Sequence, residues 1–294
     1  MFKISTAGPR QAIEAAWDVL AWSDPTPADA VDAKEDTHTQ WRLDAIARSR
    51  ESAEACVRLI AQSVPQLAAS ISDLPERDWV AHALEGLPPV HAGRFVVCGR
   101  HTAPAIAPGK TKLLIEAGPA FGTGHHGTTR GCLLALDSLL RVRRPGRVLD
   151  LGTGTGVLAI AALKSGAEAA FATDIEAESV ATAAANAAAN RVSRRLHARV
   201  ARGVGLAELH TARRFDTIFA NILARPLVGL AGAIERIAKP DAAVVLSGLL
   251  SYQEPQVRRA YGGRGLILAR RLRLDGWSSL VYLKQGRHSL HRFA

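Results

Sequence analysis

Cysteine is scarce: Cys56, Cys98 and Cys132 are the only three in 294 residues. They are odd in number, far apart and without a CxxC pair. That argues against a disulfide framework or a cysteine metal site and leaves reduced, mostly buried small side chains. Long apolar runs are missing too. No stretch of about 18 apolar residues occurs, so no membrane-spanning helix is expected. The N-terminal MFKISTAGPR has no apolar core of signal-peptide length, and the expected location is the cytoplasm. Internal repeats are absent. Low complexity is confined to ATAAANAAANRV, a helix former rather than a disordered tract.

What is present is a soluble globular composition, 48% apolar, in a chain long enough for two domains. The net charge of +10 is split unevenly: residues 1–90 hold 8 Lys+Arg against 14 Asp+Glu, a net of −6, and residues 91–294 carry +16. An acidic piece suits a basic partner, and a basic piece tolerates polyanions. The alternative is compositional. Arginine outnumbers lysine 30 to 7, and scattered surface arginine serves solubility alone.

The first hundred residues read as a small α+β unit. FKIST can be a strand, and GPRQAIEAAWDVLAW puts Ile13, Ala16, Trp17 and Leu20 on one helical face. PTPADAVDAKEDTHTQ reads as a polar turn region and WRLDAIA as a half-buried strand. SRESAEACVRLIAQSV has Ser49 or Ser52 as caps and a stripe of Ala55, Cys56, Leu59 and Ile60. GRFVVCG closes the unit as a strand, which suits a ferredoxin-like or similar small sandwich over residues 1–100. GRHTAPAIAPGKTK, with Pro104, Pro108 and Gly109, supplies a linker at residues 101–111.

From Lys112 to Ala294 strand and helix signals alternate: KLLIEA, RVLDLG, GVLAIAALKSG, AAFATDI, EAESVATAAANAAAN, RFDTIFANI, PLVGLAGAIERIA and AAVVLSG. YQEPQVRRAY reads as helix despite Pro255, and LILARRLRL and WSSLVYLK close the chain as strands. The expectation is a mostly parallel sheet covered by helices.

Two glycine-rich stretches lie close together, AFGTGHHGTTRG and VLDLGTGTG. In the second, a strand ends in Asp150 and turns through Gly152, Gly154 and Gly156 into a helix, so that backbone can approach a ligand without Cβ interference. A dinucleotide fingerprint would place Gly or Ala at position 157, where this chain has Val157. The pattern suits a nucleoside with an amino-acid tail better than a pyrophosphate. Asp174 ends the next strand, 22 residues after Gly152, where an acid can accept both ribose hydroxyls or cap the following helix. Asn221 ends RFDTIFAN, where ligands of open α/β sheets bind. Its neutral amide can orient a nitrogen nucleophile without charging it, and it is equally a common strand-end turn residue.

AFGTGHHGTTRGCLLAL, VLDLGTGTGVLAIAALKSGA, DIEAESVATAAANAAAN, FDTIFANILARPL and LSGLLSYQ together resemble the PrmA family, methyltransferases of large-subunit ribosomal protein L11. The match runs over about residues 112–284, and DWVAHALEGLPPVHAGRFVV resembles the family's junction with its N-terminal substrate-recognition domain. FGTGxHxTT and ANIL are the specific parts; GxGxG is shared by countless methyltransferases. The resemblance implies a class I, Rossmann-like methyltransferase domain using S-adenosylmethionine. Thr129 would contact its methionine part, Gly152 and Gly154 would form its loop, Asp174 would bind the ribose and Asn221 would lie beside the reacting centre. It also implies lysine ε-amino and α-amino acceptors on a basic ribosomal protein. The family usually has Cys and Ser where this chain has Thr153 and Thr155, and often Pro at Gly127. His126 reads as a loop-shaping residue and no metal is expected, since no carboxylate or cysteine accompanies His125 and His126.

Other readings stay open on residues alone. The lysine methyltransferase of the electron-transfer flavoprotein β-subunit shares FGTGxHxTT-type motifs but is usually shorter at its N-terminus. An RNA methyltransferase would use the basic half, yet ANIL replaces the Asn-Pro-Pro-aromatic signature. Val157 disfavours a nicotinamide-dependent oxidoreductase, and the intact second loop disfavours a non-catalytic nucleoside-binding module. No residue is an obvious general base.

Overall fold

A computed structural model describes residues 1–23, 25–37, 40–73, 88–99, 106–116, 126–205 and 214–286. The chain forms two compact units, Met1–Trp79 and Val80–Ala294.

The first unit runs β1 (Phe2–Gly8), α1 (Arg10–Trp22), β2 (Ala30–Thr37), β3 (Gln40–Ala47), α2 (Arg50–Ser63) and β4 (Ser70–Asp73). Its four strands lie in the order β2-β3-β1-β4, every pair antiparallel. Two β-α-β units interleaved in this way make the ferredoxin-like sandwich. Ile13, Ala16, Trp17 and Leu20 of α1 are buried together with Ile4, Leu43 and Ala45 of the sheet. Fully burying an Ile or Leu side chain contributes roughly 1.5–3 kcal/mol, so this small core holds the unit together. Ser49 caps α2, its hydroxyl accepting from the Ser52 N–H at 3.0 Å. The buried stripe of that helix is Ala53, Cys56 and Ile60, rotated from the expected one, which leaves Ala55 and Leu59 half-buried at its margin.

Two expectations are corrected here. Residues 30–37, read as part of a polar turn, form β2, because an edge strand needs only one inward row, here Val31 and the buried Ala33. The unit also ends earlier than residue 100. GRFVVC supplies β6 (Phe95–Cys98), which pairs with β5 (Val90–Ala92) and, in parallel, with β7 (Thr111–Leu114) of the second unit. The supposed linker is therefore a connection inside one sheet. Of it, residues 100–105 lie outside the described part, and Gly109 turns the chain into β7 at a φ of 80°.

The second unit is built on a seven-stranded sheet ordered β10-β9-β8-β11-β12-β14-β13. Strands β8 (Arg147–Leu151), β9 (Ala169–Asp174), β10 (Leu196–Val200), β11 (Phe215–Asn221) and β12 (Ala238–Leu250) run parallel. The terminal β13 (Leu266–Leu274) and β14 (Trp277–Lys284) add an antiparallel hairpin against β12. The helices are α3 (Gly127–Leu139), α4 (Val157–Lys164), α5 (Ala177–Ala189), α6 (Ala224–Ile237) and α7 (Glu254–Gly262). Residues 157–163 of α4 are all buried, as a helix apolar on every side must be. Strand order reverses between β8 and β11, and the crevice at their C-terminal ends is where an open α/β sheet binds its ligand. This is the class I methyltransferase arrangement expected for the domain. No described helix is long and apolar enough to cross a membrane.

Candidate functional site

The glycine loop of VLDLGTGTG leaves β8 directly. Gly152, Gly154 and Gly156 have φ of 68°, 51° and 80°, a left-handed region that costs other residues strain. The loop is tied to the neighbouring strand by the Gly152 and Thr153 N–H groups, which donate to the Thr173 carbonyl at 2.8 and 3.0 Å. A Cβ on Gly156 would come within 2.9 Å of the Ala183 Cβ of α5. Helix and loop pack without a side chain between them.

Asp150 organises this turn from below. Its Oδ2 accepts from the Thr153 hydroxyl at 2.8 Å and from the Ala159 N–H, an otherwise orphaned donor in the first turn of α4, at 3.2 Å. Burial pushes its carboxyl up to about 6, and the nearby Asp174 charge adds to the rise. Thr153, where the family usually has another residue, thus gives a hydroxyl to this carboxylate.

Asp174, at the end of β9, accepts from the Gly154 N–H at 2.9 Å through Oδ2 and from the Glu176 N–H at 3.2 Å through Oδ1. The N-cap of α5 is Glu176 rather than Asp174, although Asp174 satisfies that residue's N–H. An ionised carboxylate accepts about four hydrogen bonds, so these two leave about half its capacity for a ligand.

Of the segment that carries AFGTGHHGTTRG, residues 117–125 lie outside the described part. His126 caps α3: its Nδ1 accepts from the Thr128 N–H at 3.3 Å, and its ring packs 4.7 Å from that of Trp277. It shapes the start of the helix, as expected. Among the described residues no group of His, Cys, Asp and Glu could hold a metal. Thr129 is fully buried in the first turn of α3 and accepts from the Asn221 Nδ2 across 3.5 Å. Among the described residues the buried Asn221 Oδ1 has no partner. An orphaned acceptor at the end of β11 fits a ligand that brings an N–H donor.

Four of the five residues singled out in the sequence form two pairs: Gly154 with Asp174, and Thr129 with Asn221. Gly152 lies against the Ile222 side chain, next to Asn221. Sequence reasoning missed what supports them. The Ile222 N–H donates to the Ser247 carbonyl at 3.2 Å, and a Cβ on Gly248, at φ 84°, would overlap the Ile222 carbonyl. The LSG of β12 thereby fixes the backbone that follows Asn221. Asn186 of α5 holds the loop from the other side through the Thr155 carbonyl, and Asn190, the C-cap of that helix, holds β7; their four-residue spacing in an alanine-rich segment was the available signal. Cys132 is buried beside Ser247 and Ser279, and burial pushes its thiol up to about 12, the inert state expected of it.

Comparison with known proteins agrees with this geometry. Residues 14–285 match the family model described as ribosomal protein L11 methyltransferase (PrmA). The ribosomal protein L11 methyltransferase of Bradyrhizobium diazoefficiens is 53% identical over 212 residues, 71% of each chain. That of Caulobacter sp. strain K31 is 43% identical over 243 residues, 82% of each chain. A solved ribosomal protein L11 methylase from Lactobacillus delbrueckii subsp. bulgaricus is 27% identical, with a TM-score of 0.61, covering 68% of this chain and 100% of that one. The oxidoreductase and non-catalytic readings fall away, and the chain belongs to the family of ribosomal protein L11 methyltransferases.

Proposed function

We propose that the chain methylates amino nitrogens of ribosomal protein L11, lysine ε-amino and N-terminal α-amino groups, with S-adenosylmethionine as donor, and that the reaction takes place in the cytoplasm. The observation that carries the site assignment is the buried Asn221 Oδ1, unpartnered among the described residues, at the strand end beside the glycine loop. In this reading Gly152 and Gly154 let the loop backbone approach the cofactor, and the spare oxygen capacity of Asp174 takes the ribose hydroxyls. Thr129 and Asn221 line the end where the methyl group is transferred.

When bound, the cofactor would supply an electrophilic sulfonium methyl for transfer to an amine, with its thioether as the leaving group. What the chain's own residues do is hold the partners. Asn221 Oδ1 accepts an amine N–H and turns the nitrogen lone pair toward the methyl; Thr129 Oγ1, receiving the Asn221 Nδ2, keeps that amide from rotating. Such positioning supplies most of the rate when no charge needs neutralising. The amine must be neutral to attack, and lysine ordinarily titrates near 10.4. A desolvated entry lowers that value. No general base is assigned. Asp150 faces Thr153 and the first turn of α4, so its role is to support the loop.

The acidic first unit, part of the −6 half, is assigned to capture of a basic protein substrate. The test is incubation of purified L11 with the enzyme and isotopically labelled methyl donor, followed by peptide mass spectrometry. Labelled lysine and N-terminal peptides are expected. Unlabelled L11, with label on another protein or on ribosomal RNA, would replace the substrate.

A further inference from the structure

Two asparagines four residues apart, Asn186 in α5 and Asn190 as its C-cap, are not used by the mechanism above, yet both are buried: Asn186 is 1% and Asn190 6% exposed. Their amides spend every group on backbone. Asn190 accepts from the Leu114 N–H at 3.0 Å and donates to the Leu114 carbonyl at 2.6 Å, as a neighbouring strand would, and it also donates to the Asn186 carbonyl at 2.8 Å. That fixes β7 against the helix. Asn186 spans two segments instead. Its Oδ1 accepts from the Glu116 N–H, just past β7, at 3.1 Å, and its Nδ2 donates to the Thr155 carbonyl at 2.9 Å.

Thr155 lies between Gly154 and Gly156, where left-handed glycines leave the chain free to turn either way. Its peptide is fixed at both ends: the carbonyl by Asn186, and the following Gly156 N–H by the Thr153 carbonyl at 2.9 Å. The side of the loop that faces the ligand is then set before any ligand arrives. We propose that Asn186 is a positioning residue for the cofactor: by clamping the Thr155 peptide to the end of β7 it preorganises the glycine loop for binding S-adenosylmethionine. This rests on the reading of that loop as the cofactor site.

A substitution that removes only the clamp separates this role from a merely structural one. Asn186→Asp keeps the size and the acceptor for Glu116 but leaves the Thr155 carbonyl without its donor; Asn186→Leu removes both bonds. The KM for S-adenosylmethionine should rise about tenfold or more in Asn186→Asp, the loss expected when a buried carbonyl loses its partner. Turnover at saturating cofactor and the KM for L11 should stay within about twofold, since the reacting centre is untouched. A general folding defect would do the reverse, lowering turnover through the fraction of active enzyme and leaving KM alone. A cofactor KM that stays at the wild-type value in a folded variant overturns the proposal. Should neither variant fold, amide exchange in the cofactor-free wild type decides it. A Glu116 amide, the one that donates to Asn186, protected before cofactor is added supports the clamp, and exchange at the unprotected rate overturns it. The same preparation is titrated with S-adenosylmethionine by calorimetry. A wild-type chain that does not bind the cofactor overturns the functional reading, whereas normal wild-type binding with unchanged variant KM overturns the clamp alone.

Discussion

The side-chain amide of Asn221 reaches Thr129 Oγ1 across 3.5 Å, joining the end of β11 to the first turn of α3. One residue comes from ANIL and the other from the His-Thr stretch, 92 positions earlier. The pair ties together the two most specific sequence motifs of the chain. A long hydrogen bond of this kind is weak by itself. Its use is orientation.

Removing that orientation should cost turnover. Asn221→Ala is expected to lower kcat far more than it changes the affinity for S-adenosylmethionine, because the amide aligns the amine mainly near the transition state. Steady-state kinetics with saturating cofactor and L11 measure it. Intact turnover would reduce Asn221 to a strand-end turn residue.

Asp174→Ala removes an ionised acceptor. Each hydrogen bond to such a charge contributes roughly 1.5–3 kcal/mol, so cofactor affinity should fall by about tenfold or more with the fold retained. Calorimetric titration with S-adenosylmethionine is the check, and an unchanged dissociation constant would sink the ribose assignment.

Asp150 makes stability depend on pH. Its carboxyl stands at about 6 in the folded protein against an ordinary 3.8, because burial disfavours the charged form. In the window between those values the folded state holds a proton that the unfolded chain has released. Stability therefore falls as pH rises from about 4 to about 6, with a slope of at most about 1.4 kcal/mol for each step of one in pH. The stability of wild type relative to Asp150→Asn should decline across that window and then level off. A difference that is flat from pH 4 to 7 would show that the carboxylate is solvated or paired.

The two units should separate binding from capture. Deletion of residues 1–79, the observed boundary, is expected to leave S-adenosylmethionine affinity near normal and to abolish L11 methylation at low substrate concentration. Added salt should weaken capture by the full chain in the same direction, since exposed charges are screened beyond about 8 Å at physiological ionic strength. A truncated enzyme that methylates L11 as well as the full chain would move recognition into the basic half.

Legibility in the sequence followed burial. Strands β8, β9 and β11, closed in by neighbours on both sides, read as apolar runs, and the residues at their ends could be found by counting. Two edge strands could not, although the apolar edge strand β13 could. β2 carries Asp32, Lys34, Glu35 and Asp36, and β10 is LHARV with both arginine and histidine exposed, so neither has the apolar content that marks a strand. The boundary was misplaced for a different reason: β6 looks the same whichever sheet receives it, and only its pairing with β7 decides. Of the site, the groups proposed to meet the cofactor were visible because a glycine-rich turn, a strand-end acid and a strand-end amide each serve few purposes in a sheet of this kind. Ser247 and Gly248 act through the backbone of a distant segment, and such contacts leave no local pattern; Asn186 left only its spacing from Asn190.

Ile222 is hemmed in by one glycine of the loop after β8 and one of β12, which has a genetic consequence. A methyl added at Gly152 would collide with the Ile222 side chain, whereas one added at Gly248 would collide with its backbone. Gly152→Ala should accordingly be suppressible by trimming Ile222 to Val or Ala, up to the strain of a left-handed alanine, while no side chain at position 222 can rescue Gly248→Ala. The two glycines look alike in the sequence, yet one belongs to a negotiable contact and the other to a fixed one. In a library randomised at all three positions, variation at 152 should covary with 222, and position 248 should stay glycine throughout.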